Sequence, residues 1–161
     1  MGTATRPIAV FDLDGTLSDT RHRLHLVAPG RKDWDAFFRA ARQDPPLADG
    51  VALAQQWAHE CDLGYVTGRP ERCRADTELW LAEQGLPSGE LWMRREGDRR
   101  PARVTKPALL EGLAARRTVA VVVDDDRLVC AEYRKAGFQV VVADWMPEAA
   151  SLRQAQHEGR T

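Results

Sequence analysis

Short apolar runs alternate with longer amphipathic stretches along most of the chain, and this alternation gives the first indication of the fold. The apolar runs are apolar on both faces and predict buried strands at residues 8–13, 63–67, 91–93, 119–123 and 139–143. Helical spacing between them predicts helices at residues 49–60, 70–84, 107–116 and 127–136. This order predicts an α/β fold in which a parallel sheet of about five strands is covered by helices on both faces.

One segment between the first and second predicted strands is too long to be an ordinary connection. Residues 18–46 contain two short helical patterns, at 20–26 and 33–42, separated by a Pro-Gly pair. We expect this insert to have its own structure and to lie over the sheet edge as a small cap, although a surface excursion without a role is the alternative. Residues 1–161 are otherwise expected to form one domain, with a short helix or frayed end from Pro147.

The composition narrows the class of protein. The 161 residues are 43% hydrophobic and 29% charged, with a formal net charge of −1, which is typical of a globular domain and gives no overall attraction to nucleic acid or membranes. No apolar stretch approaches the roughly 18 residues of a membrane span, and no secretory signal is visible. The odd, widely spaced cysteines Cys61, Cys73 and Cys130 fit reduced thiols. We therefore expect a cytoplasmic protein with no membrane partner, and the oligomeric state stays open.

Polar side chains follow three of the predicted strands. Asp12 and Asp14 close the first strand, and strand alternation would direct both carboxylates to one face. The second and fourth strands are followed by Thr67, Gly68 and Arg69, and by Asp124, Asp125 and Asp126. Because ligands of such sheets bind at the carboxyl ends of the strands, we expect these groups to share one site. Converging carboxylates repel, so a divalent cation or a shared proton is expected between them.

Each of these residues also has an ordinary structural interpretation. Thr67 alone fits a helix cap, Lys106 alone fits a solvated surface lysine, and an acidic run fits a helix N-terminus. Together they fit a phosphate site, in which carboxylates hold Mg²⁺, Thr67 donates to a phosphate oxygen and Lys106 offsets the negative charge. Arg69, which follows a glycine, could reach the phosphate or pair with the acidic cluster.

Four motifs resemble, in residue type and in order, those of the haloacid dehalogenase-like (HAD) phosphatases: Asp12-x-Asp14-Gly15-Thr16, Thr67, Lys106 and Asp124-Asp125. The resemblance implies a Rossmann-like HAD core with a cap insert. It implies Asp12 as the nucleophile that forms an aspartyl-phosphate, and Asp14 as the general acid and base. The ligands of Mg²⁺ would be Asp12, Asp14, Asp124 and Asp125, with the choice among residues 124–126 left open. The order of the motifs excludes the receiver domains of response regulators.

The basic loop at residues 94–106 bears on the substrate. It holds six basic and two acidic residues, which could bind a polynucleotide backbone or could be a solvated arginine-rich loop. Arg94, Gly97-Asp98, Arg100 and Lys106 resemble the 3′-phosphatase domain of phage-type polynucleotide kinase/phosphatases. This resemblance implies DNA or RNA 3′-phosphate ends as substrates, bound by Gly68, Arg69, Arg94 and Arg100.

The sequence departs from this family at some points, and other functions stay open. No Walker-type phosphate loop is visible, so no attached kinase domain is expected, and Asp126 stands where an arginine is expected. A nucleotidase or other small-molecule phosphatase is the first alternative, and a non-catalytic phosphate-binding module is the second. In the insert, Trp34, Phe37 and Phe38 could stack a base, but their helical spacing favours packing on the core. His22 and His25 could contact phosphate, which isolated histidines seldom do.

Overall fold

A five-stranded parallel sheet in the order β3-β2-β1-β4-β5 forms the centre of the molecule. The computed structural model describes residues 5–147 and 149–161. The strands are β1 (Ile8–Phe11), β2 (Asp62–Pro70), β3 (Glu90–Arg94), β4 (Val119–Asp124) and β5 (Val140–Val142). Every residue of the central strand β1 is buried, as its continuous apolar run predicts, and the predicted α/β fold is confirmed.

Helices cover both faces of this sheet. They are α1 (Trp34–Ala40), α2 (Ala48–Trp57), α3 (Arg74–Glu83), α4 (Ala102–Ala114), α5 (Arg127–Lys135) and α6 (Ala150–His157). Side chains of β1 alternate between the two faces. Phe11 shares a hydrophobic cluster with Ala54 of α2 and Trp80 of α3, whereas Val10 shares the opposite cluster with Leu110 of α4.

The start of α4 differs from the sequence prediction. The helix begins at Ala102, so Pro107, predicted as its first residue, lies inside it. A proline there removes one backbone hydrogen bond, but Ala102, Leu110 and Leu113 are buried against the sheet and this packing outweighs the local preference. Consequently Lys106 lies within a helix that crosses the sheet edge, rather than ahead of it.

The ends of strands β1 and β2 also differ from the sequence prediction. β1 ends at Phe11, so Asp12 and Asp14 lie in the loop beyond the strand, and their directions are not set by strand alternation. β2 continues to Pro70, and α3 begins only at Arg74 after a 3₁₀ turn. The tertiary pairing of β2 with β3 at Pro70 extends the strand past the turn signal that Gly68 carries.

The insert at residues 18–46 begins and ends at one point, where Ser18 and Pro46 form an isolated antiparallel bridge. The segment contains the 3₁₀ helix Arg21–Val27 and α1, close to the two predicted helical patterns. Phe37 and Phe38 are buried in a small cluster with Val27, as their helical spacing favours. The role of this insert as a cap stays a prediction.

The chain ends beyond β5 with α6 and residues 158–161. Helix α6 lies near α4 and the 3₁₀ helix of the insert, so the tail lies on the side of the sheet that carries the predicted site. None of the helices in the described parts of the chain has the length and apolar character needed to cross a membrane.

Candidate active site

Three carboxylates and one lysine form a buried group, here called the acidic cluster, at the carboxyl ends of β1 and β4. Oxygen atoms of Asp12, Asp124 and Asp125 lie within 4.8 Å of one another. Lys106 Nζ donates to Asp12 Oδ1 at 2.9 Å and to Asp124 Oδ2 at 2.8 Å. The parallel register of β1 against β4 places the first two carboxylates side by side, and α4 brings the lysine across them.

The acidic cluster holds more negative than positive charge. Burial, followed by the Asp12 carboxylate, raises the pKa of Asp124 to about 7 even though Lys106 opposes this shift. Burial and the charges of Asp12 and Asp124 likewise hold the pKa of Asp125 well above its ordinary value. Burial would lower the pKa of Lys106, yet the two carboxylates it touches raise it. A further positive charge would therefore stabilise this group of side chains.

The donor set of the acidic cluster fits a divalent cation. Asp125 Oδ1 is buried and has no hydrogen-bond partner within residues 5–147 and 149–161. Carboxylate oxygens are the ligands that Mg²⁺ prefers, and an orphaned buried oxygen is what a cation would satisfy. Gly15 lies against this carboxylate so closely that a Cβ at position 15 would overlap with it.

The acidic run after β4 divides into two roles. Asp124 and Asp125 face the acidic cluster, whereas Asp126 caps helix α5. Asp126 Oδ1 accepts from the backbone N–H groups of Leu128 at 2.9 Å and Val129 at 3.3 Å. The helix-terminus interpretation is therefore correct for the third acid, and the first two remain as candidate metal ligands.

Asp14 belongs to a different group of ion pairs, here called the arginine cluster. Its Oδ1 accepts from Arg69 Nη2 at 2.5 Å and from Arg23 Nη2 at 2.8 Å. Burial would raise the pKa of Asp14, but the charges of Arg69 and Arg23 outweigh burial and lower it below its ordinary range. Among the described residues the acidic cluster does not include Asp14, so its role as a metal ligand stays a prediction.

Asp44 completes the arginine cluster from the end of the insert. It accepts from Arg23 Nε at 2.7 Å and Nη2 at 2.8 Å, and from the Ser18 hydroxyl. His22 Nε2 lies 2.6 Å from the same carboxylate, so this histidine pairs within the protein. Sequence reasoning missed Arg23 and Asp44, because a buried ion pair that joins distant residues leaves no spacing signal.

The residues that are predicted to bind phosphate differ in their surroundings in the structure. Thr67 is buried, and its Oγ1 accepts from the backbone N–H of Arg69 at 3.2 Å, which leaves the hydroxyl proton available. Arg94 is also buried, and it donates to the carbonyl oxygens of Gly68 and Arg100, each at 2.9 Å. Burial lowers the pKa of Arg94 to about 10. Arg94 therefore fastens the basic loop to the strand end, and its substrate contact stays a prediction.

Asp125, alone among the residues of the acidic cluster, lines a cavity of about 780 Å³. Asp125 lies at its edge, and the first turns of α4 and α5 contribute Arg103 and Arg127 to its lining. Leu128, Met146 and α6 add apolar surface on the other sides. The cavity can thus admit a ligand with both charged and apolar parts.

Comparison with known proteins identifies the family. Residues 6–144 match the family model described as the polynucleotide kinase PNKP phosphatase domain. A search of the curated proteins by sequence yields no significant match.

Solved structures share the fold. One chain of a Pnkp1/Rnl/Hen1 RNA repair complex is 24% identical, with a TM-score of 0.69 over 87% of this chain and 43% of that chain. The class C acid phosphatase from Bacillus anthracis is 17% identical, with a TM-score of 0.64 over 88% and 67% of the two chains. The HAD hydrolase YfnB from Bacillus subtilis, bound to magnesium, is 12% identical, with a TM-score of 0.59 over 84% and 87%. The present chain spans less than half of the chains from the RNA repair complex.

Proposed function

The chain belongs to the family of polynucleotide kinase PNKP phosphatase domains, within the HAD superfamily, and we propose that it removes phosphate from the 3′ ends of DNA or RNA with the help of Mg²⁺. The observation that carries this proposal is the acidic cluster. Lys106 pairs there with two buried carboxylates, Asp12 and Asp124, and the adjacent Asp125 has a buried Oδ1 with no hydrogen-bond partner among the described residues. Such a deficit of positive charge at the strand ends fits a divalent cation, which could in turn bind a phosphate.

Asp12 is the proposed nucleophile. Its Oδ2 accepts from the Thr16 hydroxyl at 3.2 Å and its Oδ1 accepts from Lys106, so the carboxylate is held in one orientation. Attack on phosphorus forms an aspartyl-phosphate as the bond to the leaving oxygen breaks, and water hydrolyses this intermediate afterwards. Mg²⁺ bound by Asp12, Asp124 and Asp125 would offset the repulsion between carboxylate and phosphate.

Asp14 is the proposed general acid and base. It is ionised while Arg69 and Arg23 hold its pKa low. A substrate phosphate would compete for the Arg69 guanidinium, which would weaken its pairing with Asp14 and raise the pKa of that carboxyl. Asp14 can then protonate the leaving oxygen and later take a proton from the attacking water.

Basic side chains around the site support a polynucleotide substrate. Arg95 and Arg99 are exposed on the basic loop, and Arg103 and Arg127 line the cavity beside Asp125. Such groups can neutralise the phosphates that precede a 3′ end, and they give binding a strong dependence on salt. The structural likeness to a chain of an RNA repair complex agrees with this substrate.

A comparison of substrates tests the proposal. Hydrolysis of a 3′-phosphorylated oligonucleotide and of a nucleoside 3′-monophosphate is measured with Mg²⁺ at about 50 mM and about 200 mM salt. We expect a higher kcat/KM for the oligonucleotide that falls as salt rises, and Asp12→Asn abolishes turnover of both. Equal rates at both chain lengths would instead indicate a small-molecule phosphatase. Phosphate binding without turnover would indicate a non-catalytic module.

Removal of two arginine charges tests whether the polynucleotide binds along the cavity. The double variant Arg103→Gln/Arg127→Gln should raise KM for the oligonucleotide only, and should reduce the logarithmic salt slope by about one per lost phosphate contact. Arg134→Gln is the matched control, because Arg134 is exposed at the far end of the same helix as Arg127. An equal slope in the double variant and the control would exclude the cavity as the polynucleotide path.

We also propose a cytoplasmic location. Cys61, Cys73 and Cys130 are all unpaired as thiols, and two of them are buried. This pattern is typical of a reducing compartment.

A further inference from the structure

The segment 158–161, which follows α6, covers Asp14. Thr161 Oγ1 donates to Asp14 Oδ2 at 3.2 Å, and the Thr161 carbonyl oxygen accepts from Arg94 Nη2 at 3.3 Å. Thr161 is 4% exposed and lies so close to Gly68 that a Cβ at position 68 would overlap with its backbone. This segment lies beyond residue 144, where the match to the family model ends.

The position of this segment conflicts with the chemistry proposed for Asp14. A leaving oxygen must come within about 2.6–3.2 Å of the carboxyl group that protonates it. Asp14 is only 4% exposed, and its oxygens already accept from Arg23, Arg69 and Thr161. One of these three donors must therefore withdraw before a leaving group can reach Asp14.

Thr161 is the donor that can withdraw most readily. Arg69 is buried on β2 and its Nε and Nη2 both donate to Asp14. Arg23 is fully buried and tied to Asp44 by two further hydrogen bonds. Thr161 contributes a single long hydrogen bond between a neutral donor and the carboxylate, which is weaker than the bidentate pairing of a guanidinium.

We propose that segment 158–161 is an autoinhibitory plug that a phosphomonoester substrate must displace before its leaving group can contact Asp14. This inference rests on the proposed function, because it takes Asp14 as the proton donor. Outside the site the plug is held by an ion pair and a cation–π contact at the surface. Glu158 pairs with Lys32 at 3.4 Å, and the Arg160 guanidinium lies 5.5 Å from the Trp34 ring centroid.

Gly159 provides a way to displace the plug without replacing a side chain that contacts Asp14. It has a φ of +70°, and a Cβ there would overlap with the carbonyl oxygens of Arg99 and Arg100. Gly159→Ala should therefore push the segment off the basic loop. Gly85→Ala is the matched control, because Gly85 has a φ of +69° and open space around it.

The kinetic test measures hydrolysis of an aryl phosphate and of the 3′-phosphorylated oligonucleotide. Because the plug competes with substrate, Gly159→Ala should lower KM about two- to tenfold with kcat unchanged, the range expected for loss of one hydrogen bond. Deletion of residues 158–161 should act in the same direction, and it replaces the glycine variant if that variant unfolds. A KM equal to or above that of Gly85→Ala in both altered chains would overturn the plug.

Amide hydrogen exchange provides a second readout that needs no turnover. In the wild-type chain with Mg²⁺, addition of inorganic phosphate should accelerate exchange at residues 159–161 more than in α6. Unchanged exchange at saturating phosphate would overturn the plug. If exchange accelerates while no chain hydrolyses any phosphomonoester, phosphate displaces segment 158–161 but the proposed phosphatase activity, and with it the inhibitory role of the segment, falls.

Discussion

The acidic cluster and the arginine cluster are adjacent and both built on the motif that contains Asp12 and Asp14, yet their charge balances differ. In the arginine cluster the carboxylates of Asp14 and Asp44 face the guanidinium groups of Arg23 and Arg69, so two negative groups meet two positive ones. In the acidic cluster Lys106 pairs with Asp12 and Asp124, and the third carboxylate, Asp125, lies beside them. The first cluster is complete within the protein, and the second requires an external cation or proton.

This difference assigns separate tasks to two aspartates that are two residues apart. Asp12 lies where positive charge is deficient, so it fits a metal ion and an attack on phosphate. Asp14 lies where positive charge is sufficient, so its pKa is lowered and its reaction requires a partner to leave. Charge balance therefore separates the proposed nucleophile from the proposed acid.

Removal of one basic side chain from each cluster should have the largest effect on stability. Lys106→Met and Arg23→Met each leave buried carboxylates short of a partner, which costs on the order of 3–5 kcal/mol of unfolding free energy. Mg²⁺ should restore much of the stability of Lys106→Met, because it can replace the lysine charge among the three carboxylates. It should restore little in Arg23→Met. Urea unfolding of both variants with and without Mg²⁺ measures this difference, and equal recovery of both would refute the distinction.

The stabilisation of the folded protein by Mg²⁺ should depend on pH, and this effect on the free energy of unfolding should be intermediate in size. Asp124 has its pKa raised from 3.8 to about 7, so the folded state binds more protons than the unfolded state between these values. The metal-free protein should therefore lose stability as pH rises through this window. Mg²⁺ replaces those protons, and at about 100 times its dissociation constant it adds about 2.7 kcal/mol.

Thermal unfolding at about pH 5 and about pH 8 checks this expectation. The Mg²⁺-induced rise in Tm should be larger at the higher pH, where protons compete less for the carboxylates. Asp126→Asn is the control, since Asp126 caps α5 and should leave the pH dependence of the Mg²⁺ effect unchanged. The same Mg²⁺ effect at both pH values would show that the acidic cluster does not bind the ion.

Removal of His22 should have the smallest effect. Its side chain is 37% exposed and meets an Asp44 that Arg23 already neutralises, so His22→Ala should cost at most about 1 kcal/mol. His25→Ala, at an exposed position of the same 3₁₀ helix, is the matched control. A loss comparable to that of Arg23→Met would show that the arginine cluster is not balanced without the histidine.

Much of the fold and half of the site could be predicted from the chain. Buried strands of a parallel sheet are continuous apolar runs, so β1 and β4 were visible, and Asp124 stands at a predicted carboxyl end. Lys106, expected at the start of a helix, lies within α4 and reaches Asp124 from there. The start of α4 was misplaced because Pro107 is a local helix-breaking signal that buried packing overrides. Arg94 is the first residue of the predicted basic loop, but its burial and carbonyl contacts depend on folding.

The sequence by itself determined the parallel sheet and the presence of Asp12, Thr67 and Asp124 at its edge, because local periodicity and strand order place them there. Only the tertiary structure decided that Asp14 separates from Asp12 and joins Arg23, Arg69 and Asp44. It alone brought Thr161 onto Asp14, across a separation of 147 residues. Partners of a buried charge are selected by desolvation and geometry in the folded chain, and neither leaves a pattern among neighbouring residues.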